Sequence, residues 1–178
     1  MIRKAELEDL DGVMECIEDA RKLLRESGSK QWNDKDGYPT RIDLERDILN
    51  NNCYISVKYN YDLDQEEIAG TVTYEGHEKE YDVVYGKWLT DTTNYTTIHR
   101  LATRTKYRMT GVAKKLMEYA VEYSKKTGRE SVRIDTHPKN STVRHLAEVL
   151  EYTECGYVLY SRIKNDEAKR LVFEKKVK

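Results

Sequence analysis

From Thr96 to Thr136 the chain reads as a strand, a glycine-containing turn, an amphipathic helix and a second strand, and no other stretch limits the fold as tightly. The β-prone run Thr96 to Thr103 leads into Arg108-Met109-Thr110-Gly111-Val112-Ala113. Beyond the turn, Val112, Leu116, Met117, Ala120, Val121 and Ser124 recur at three- and four-residue steps, which puts them on one helix face. Lys125-Lys126-Thr127-Gly128 give the basic last turn and the glycine with which helices end. In Ser131 to Thr136, Val132 and Ile134 alternate with Arg133 and Asp135, as in a strand. Two strands joined through a helix are expected to be parallel neighbours.

The turn itself has the makings of an anion site. The first N–H groups of a helix lack intrahelical acceptors and carry partial positive charge, Gly111 admits close approach to the backbone, and Ala113 leaves the first turn unobstructed. Arg104, Lys106, Arg108, Lys114 and Lys115 surround it with enough cationic charge to favour a pyrophosphate. Taken by itself the stretch also fits a commoner thing, a solvated basic turn ahead of a surface helix.

A chain of 178 residues with 38% hydrophobic content fits one domain, residues 1–178, with a core of its own. Its 31 basic and 32 acidic residues nearly cancel, so no global field argues for nucleic acid or an anionic membrane surface. Cys16, Cys53 and Cys155 are odd in number and far apart, which speaks against a disulfide framework or a metal site and suits a reducing cytoplasm. No apolar run approaches the roughly 18 residues of a membrane span. Fourteen tyrosines against one phenylalanine give the chain many aromatic faces with a polar tip, suited to a lined cavity or a half-exposed sheet.

Elsewhere, Ile2 to Ala5 reads as an edge strand and Asp9 to Glu26 as a helix, with Leu7, Leu10, Val13, Met14, Ile17, Ala20, Leu23 and Leu24 on one face. Ser27 to Thr40 is a polar loop with Trp32, Tyr38 and a turn cluster from Asn33 to Gly37, either a substrate lid or a loop folded on its own side chains. Asp43 or the residues before it start a short helix through Asn50, with Ile42, Leu44, Ile48 and Leu49 as its buried side, and Asn50-Asn51-Asn52 stops it. Cys53 to Tyr59, Glu67 to Tyr74 and Tyr81 to Leu89 read as a three-strand meander, with Gly70 marking a bulge or a close backbone approach. After His137-Pro138, Asn140 or Ser141 caps a helix to Leu150, and two β-rich runs, Cys155 to Ile163 and Lys169 to Glu174, close the chain around a polar connection from Lys164 to Ala168.

This order of elements and these turn residues resemble the GNAT superfamily of acyl-CoA-dependent N-acetyltransferases. The superfamily's pyrophosphate pattern is Arg or Gln, two residues, Gly, any residue, then Gly or Ala, and it is matched by Arg108, Gly111 and Ala113. Ile134-Asp135-Thr136-His137 followed by Asn140 and a short helix is similar to its later acetyl-CoA segment. The resemblance implies an α/β fold, a mixed, splayed sheet of about seven strands flanked by about four helices. It also implies acetyl-CoA as cosubstrate and, as acceptor, a primary amine of a small molecule or peptide. Pantetheine would pair with backbone groups of Leu101, Ala102 and Thr103 as a missing strand would, with Asn140 beside it. The diphosphate would lie on the amides of Arg108, Met109, Thr110, Gly111, Val112 and Ala113.

Aminolysis of a thioester needs an uncharged amine, a donor for the oxyanion and an acid for the departing thiolate. Many members of the superfamily place a glutamate base on the strand before the turn; the register set by Arg108 puts Thr97 there. His99, two residues on, is the candidate base, with Glu75 and Tyr85 behind it, and a structural hydrogen bond is its other reading. The superfamily's acid, a tyrosine seven residues after the asparagine, falls on Ala147, with Glu151-Tyr152 where a Gly-Phe pair would stand. Setting Gly156-Tyr157 as that pair would make Tyr152 the acid but lengthen the helix, whereas the apolar helix face ends at Leu150. His137 reads as a turn residue. Two alternatives stay open: a non-catalytic acyl-CoA-binding or sensing module, and a nucleotide-phosphate binder, the latter opposed by the lack of Lys-Ser/Thr after Gly111. The acceptor's identity and the oligomeric state, a homodimer included, are not written in the sequence.

Overall fold

Apolar side chains at helical spacing build α1, Leu10–Glu26, which buries Leu10, Val13, Cys16 and Ile17 after a single 3-10 turn at Leu7–Asp9. A capping box opens α2, Arg41–Leu49: the Thr40 hydroxyl accepts the Asp43 N–H at 3.2 Å while the Asp43 carboxylate accepts the Thr40 N–H at 2.8 Å. Two further helices follow, α3 at Val112–Lys126 and α4 at Ser141–Val149. This computed structural model describes residues 1–32, 37–163 and 166–177, without the side chain of Asp166. The turn expected at Asn33 to Asp36 and the start of the connection at Lys164 and Asn165 lie outside the described residues.

Among the described residues there are eight strands: β1 Ile2–Lys4, β2 Cys53–Asn60, β3 Gln65–Glu75, β4 Tyr85–Gly86, β5 Tyr95–Thr103, β6 Ser131–Thr136, β7 Thr153–Leu159 and β8 Lys169–Lys176. The chain divides into two compact units, Met1–Tyr74 with His99–Met117, and Glu75–Ile98 with Glu118–Lys178. In the first, β1 pairs antiparallel with β2 and β2 with β3, over a core that includes Val13, Ile17, Leu44, Ile48 and Ile55. In the second, β5 runs parallel to β6 from Tyr95↔Ser131 to Ile98↔Ile134, as the intervening helix leads one to expect. There β6 pairs antiparallel with β8, β8 with β7 and β7 with β4. Since β5 contributes to both units, the strand order reads β1-β2-β3-β5-β6-β8-β7-β4. The fold is the mixed sheet with four helices that the resemblance implies, with eight strands rather than about seven.

The meander needs correction. Lys79–Asp82 form a 3-10 turn, and only Tyr85–Gly86 are extended, paired with β7 through Tyr85↔Tyr157 and Gly86↔Gly156. The run was β-prone in composition but its burial lacks the two-residue period of a half-buried strand. Tyr81 is buried, Val83 is 67% exposed, and the Trp88 indole reaches back to donate to the Tyr81 carbonyl at 3.1 Å.

Gly70 fulfils both expectations placed on it. The β2–β3 register shifts between Ser56 and Val57, opposite Gly70. A Cβ on Gly70 would stand 2.6 Å from Val112 Cγ1 and 3.0 Å from the Ala102 carbonyl oxygen, so the missing methyl is the space in which the first turn of α3 rests on β3. The Tyr74 hydroxyl ties the same turn down by donating to the Leu116 carbonyl at 2.6 Å.

The second unit is organised around a buried ion pair. Glu174 accepts from the Leu89 N–H at 2.6 Å, the Thr90 and Ser131 hydroxyls at 2.6 Å each, and Arg133 Nε at 3.0 Å. Arg133 is sandwiched between the rings of Trp88 and Tyr95, 4.1 and 4.0 Å from their centroids. Burial alone would raise the Glu174 pKa; hydrogen bonds from Ser131, Thr90 and Arg133 outweigh it and hold the carboxyl below the usual glutamate value.

Two outcomes follow for stability. Gly70→Ala overpacks the seat of α3 and should cost about 1–3 kcal/mol in urea unfolding; an unchanged midpoint would show that the approach is not tight. Glu174→Gln strands a buried guanidinium and should cost about 3–5 kcal/mol at neutral pH. Because the folded-state pKa of Glu174 is depressed, its contribution is present above 4.5 and is lost as the pH falls through the folded value. The gap between wild type and variant should therefore narrow in acid, and a constant gap would contradict this account.

Candidate functional site

The anion turn lies wholly in the first unit. β5 leaves the sheet in a fixed direction because the Arg104 N–H donates to the Ala69 carbonyl of β3 at 3.0 Å. After a 3-10 turn at Thr105–Tyr107, Met109 and Gly111 take left-handed φ values of +61° and +82°. Alternating left-handed residues swing successive N–H groups toward one side of a turn, the backbone arrangement that holds anions. The Lys115 N–H is the one taken by the Gly111 carbonyl, at 3.0 Å, so the amides of Val112 and Ala113 precede that bond and have no helical carbonyl to reach. Nothing lies within 4 Å of where a Gly111 Cβ would be, so glycine serves the backbone angle here and the turn is open to solvent.

The cations sort into two groups. Arg104 Nε pairs with Asp19 at 3.0 Å and its Nη1 with Glu15, while Lys106 pairs with Glu67. Lys106, then Asn60 and Tyr107, push the Glu67 pKa down to about 2. These two cations are thus engaged by carboxylates of the same unit. Arg108 and Lys115 are exposed at the turn, and Lys58 of β2 adds a third positive charge, its Nζ donating to the Thr110 hydroxyl at 3.0 Å and lying 5.4 Å over the Tyr107 ring. No local pattern marks Lys58, because only the fold brings it to a turn 52 residues away.

His99 is half-buried on β5. Next to it, Arg100 has φ +51°, which breaks the strand's alternation and sends its guanidinium to the buried Asp47 at 2.9 Å. Ala102 is buried, and Leu101 and Thr103 are half-buried.

The remaining candidates belong to the second unit. Glu75, at the end of β3, is half-buried, and the Thr97 hydroxyl donates to the Gly76 carbonyl at 2.7 Å. Asn140 caps α4, its Oδ1 accepting the Val143 N–H at 3.2 Å, which leaves its NH2 as the group that can donate. α4 ends at Val149, and Glu151 takes φ +60°, the left-handed position natural to the glycine of a Gly-aromatic pair. Tyr152 follows directly on that turn. It is 6% exposed, burial pushes its pKa up, and among the described residues its hydroxyl has no hydrogen-bond partner. His137 is buried in its turn: Nδ1 accepts the Lys139 N–H at 3.1 Å, Nε2 lies 3.1 Å from Glu167, and burial lowers its pKa. Tyr85 stacks on Tyr157 at 4.9 Å, on the β4–β7 edge.

A model of the acetyltransferase (GNAT) family matches residues 17–152. The chain belongs to the GNAT acetyltransferase family. A GNAT acetyltransferase from Streptococcus agalactiae 2603 is similar at 35% identity and TM-score 0.86, over 100% of this chain and 95% of that one. Two more share the fold. One is a putative acetyltransferase from Staphylococcus aureus Mu50, with 22% identity and TM-score 0.70 over 100% and 99% of the two chains. The other is a GNAT protein from Listeria monocytogenes 4b F2365, with 16% identity and TM-score 0.69 over 99% and 94%. No curated protein matches significantly.

GNAT membership makes this chain a transferase of a family that uses acyl-CoA cosubstrates and amine acceptors. Among the described residues no three His, Cys, Asp or Glu gather as a metal site, and no helix is long and apolar enough to cross a membrane. Burial pushes the thiol of Cys16 up to about 12 and those of Cys53 and Cys155 up to about 11. If the turn is an anion site, Lys58→Met should weaken inorganic pyrophosphate binding in calorimetry by about two- to fivefold, with the difference shrinking at high salt. Equal affinities at low salt would remove Lys58 from the site.

Proposed function

We propose that this GNAT enzyme moves an acetyl group from acetyl-CoA to a primary amine of a small molecule or peptide by direct transfer. The observation that carries the reading is the turn from Arg108 to Ala113, with its left-handed Met109 and Gly111, its leading helix amides and its flanking cations. These amides take the diphosphate of the cosubstrate, Arg108 and Lys58 adding charge. Backbone groups of Leu101, Ala102 and Thr103 pair with the pantetheine amides, and the Asn140 NH2 donates to the same arm.

Acetyl-CoA supplies an activated thioester carbonyl. The amine nitrogen forms a bond to that carbon, the carbon–sulfur bond breaks, and coenzyme A leaves as its thiol, taking up the proton that the amine gives up. His99 is the group assigned to receive the amine's proton, with Glu75 behind it; Tyr152, the acid of the alternative register, is buried and holds its proton firmly. Direct transfer is favoured over an acylated cysteine because the three thiols are buried and their pKa values are raised, so little thiolate forms near neutrality. Free, unpaired cysteines also suit action in the cytoplasm.

A second reading is an acyl-CoA-binding or sensing module, favoured by Thr97 and Ala147 at the positions where many relatives carry base and acid. One set of measurements separates the two. Thiol release from acetyl-CoA is followed across diamines, amino acid amides and peptide amino termini, with CoA affinity measured for Gly111→Asn and Gly111→Asp. Both substituents tolerate a left-handed φ, but only aspartate sets a negative charge against the phosphates, so Gly111→Asp should bind CoA about tenfold more weakly than Gly111→Asn. Equal affinities would take the turn out of the site, and CoA binding without thiol release from any amine would favour the module.

A further inference from the structure

Asp135 is the first residue of β6 past the last parallel rung, Ile98↔Ile134. Its half-buried carboxylate receives two hydroxyls on one oxygen: Tyr81 donates to Oδ2 at 2.7 Å and Tyr160 at 2.8 Å. Both tyrosines belong to an apolar cluster with Tyr95, Val158 and Val172. Among the described residues no lysine, arginine or histidine pairs with Asp135, and no donor reaches Oδ1. Carboxylates elsewhere in the interior are treated differently, Asp47 facing Arg100 at 2.9 Å and Glu174 facing Arg133 at 3.0 Å.

The surroundings hold this arrangement in place. Burial first, and then the Asp135 charge, push the pKa of both tyrosines well above the ordinary value, so they remain donors. Glu78 adds negative potential at both rings. Arg162 and Arg170 lie 5.7 and 5.5 Å from the centroid of Tyr160, and Arg170 donates to the carbonyls of Glu167 and Lys169.

A half-buried carboxylate served by neutral donors alone lacks a counter-charge, and its second oxygen keeps its lone pairs. An ammonium group supplies the charge and the N–H donors together, and phenol faces beside it attract cations. We infer that Asp135, oriented by Tyr81 and Tyr160, receives the ammonium group of a cationic amine acceptor. The inference rests on the proposed acetyl transfer for naming that amine a substrate; the binding step itself does not require acetyl-CoA.

Calorimetry of the full chain with 1,5-diaminopentane and with tyramine, each with and without CoA, tests it. At least one amine should bind the wild type, its affinity should fall about tenfold or more in Asp135→Asn, and 1,5-pentanediol should not bind. In turnover of that variant the KM for the amine should rise by a larger factor than the KM for acetyl-CoA. A crystal of the wild type soaked with the bound amine gives the answer without a variant, the ammonium lying within hydrogen-bond distance of Asp135. Failure of both amines to bind, equal affinity in Asp135→Asn, an ammonium seated elsewhere, or joint loss of amine and CoA binding with a lowered Tm would each overturn it. Amine binding that depends on Asp135 in a protein with no affinity for CoA would sink the acetyl-transfer reading and leave this one standing.

Discussion

One missing methyl group sets the geometry of the first unit. A side chain at Gly70 would press the first turn of α3 away from β3, because Val112 and the Ala102 carbonyl already occupy that space. The contact fixes where α3 begins, and where α3 begins fixes which amides precede its own hydrogen-bond ladder. Packing in the core and the display of donors at the surface are thus two consequences of one close approach. Tyr74 reinforces it from the side by taking the Leu116 carbonyl.

Tyrosine does much of this work, which accounts for a composition of fourteen tyrosines to one phenylalanine. Tyr74 donates to a helix carbonyl, Tyr107 to Glu67 at 2.8 Å, Tyr81 and Tyr160 to Asp135, and the Tyr95 hydroxyl accepts the Glu78 N–H at 3.1 Å. Each ring contributes apolar area while its hydroxyl satisfies a polar group that would otherwise be stranded. The interior is therefore wired by phenols and by ion pairs such as Asp47–Arg100 and Glu174–Arg133.

What the sequence reveals follows from the range of the interactions that decide it. α1, α3 and α4 were legible because a single apolar stripe at helical spacing, with Asn140 or Gly128 at an end, is a local signal. The parallel β5–β6 pair was legible too, being a consequence of the helix between them. β4 was not, since the residues around it are β-prone in kind while their partner, β7, lies some seventy residues on. Lys58 escaped for the same reason, reaching the turn across a hairpin, and Asp135, though visible in its strand, gains its phenol partners only from tyrosines 54 and 25 residues away. That Tyr152 follows directly on the end of α4 likewise needed the backbone, which turns left-handed at Glu151.

Two departures from the family's pattern bear on how the proposed reaction would gain its rate. Thr97, where many relatives carry a glutamate, spends its hydroxyl on the Gly76 carbonyl, and Ala147, at the tyrosine position, is fully buried with no side chain to offer a proton. In that register neither position carries an acid or a base, and general acid–base catalysis supplies on the order of 10²–10⁴-fold where it operates. Holding a thioester and an amine together in attacking geometry is worth more than that, about 7–11 kcal/mol in favourable cases. The features most sharply defined are those the proposed reading assigns to ligand binding: amides fixed at a helix start by the packing at Gly70, and a carboxylate fixed by two phenols. An enzyme of this design would work chiefly by positioning its substrates, and the loss of the family's glutamate and tyrosine would then be a change it can bear.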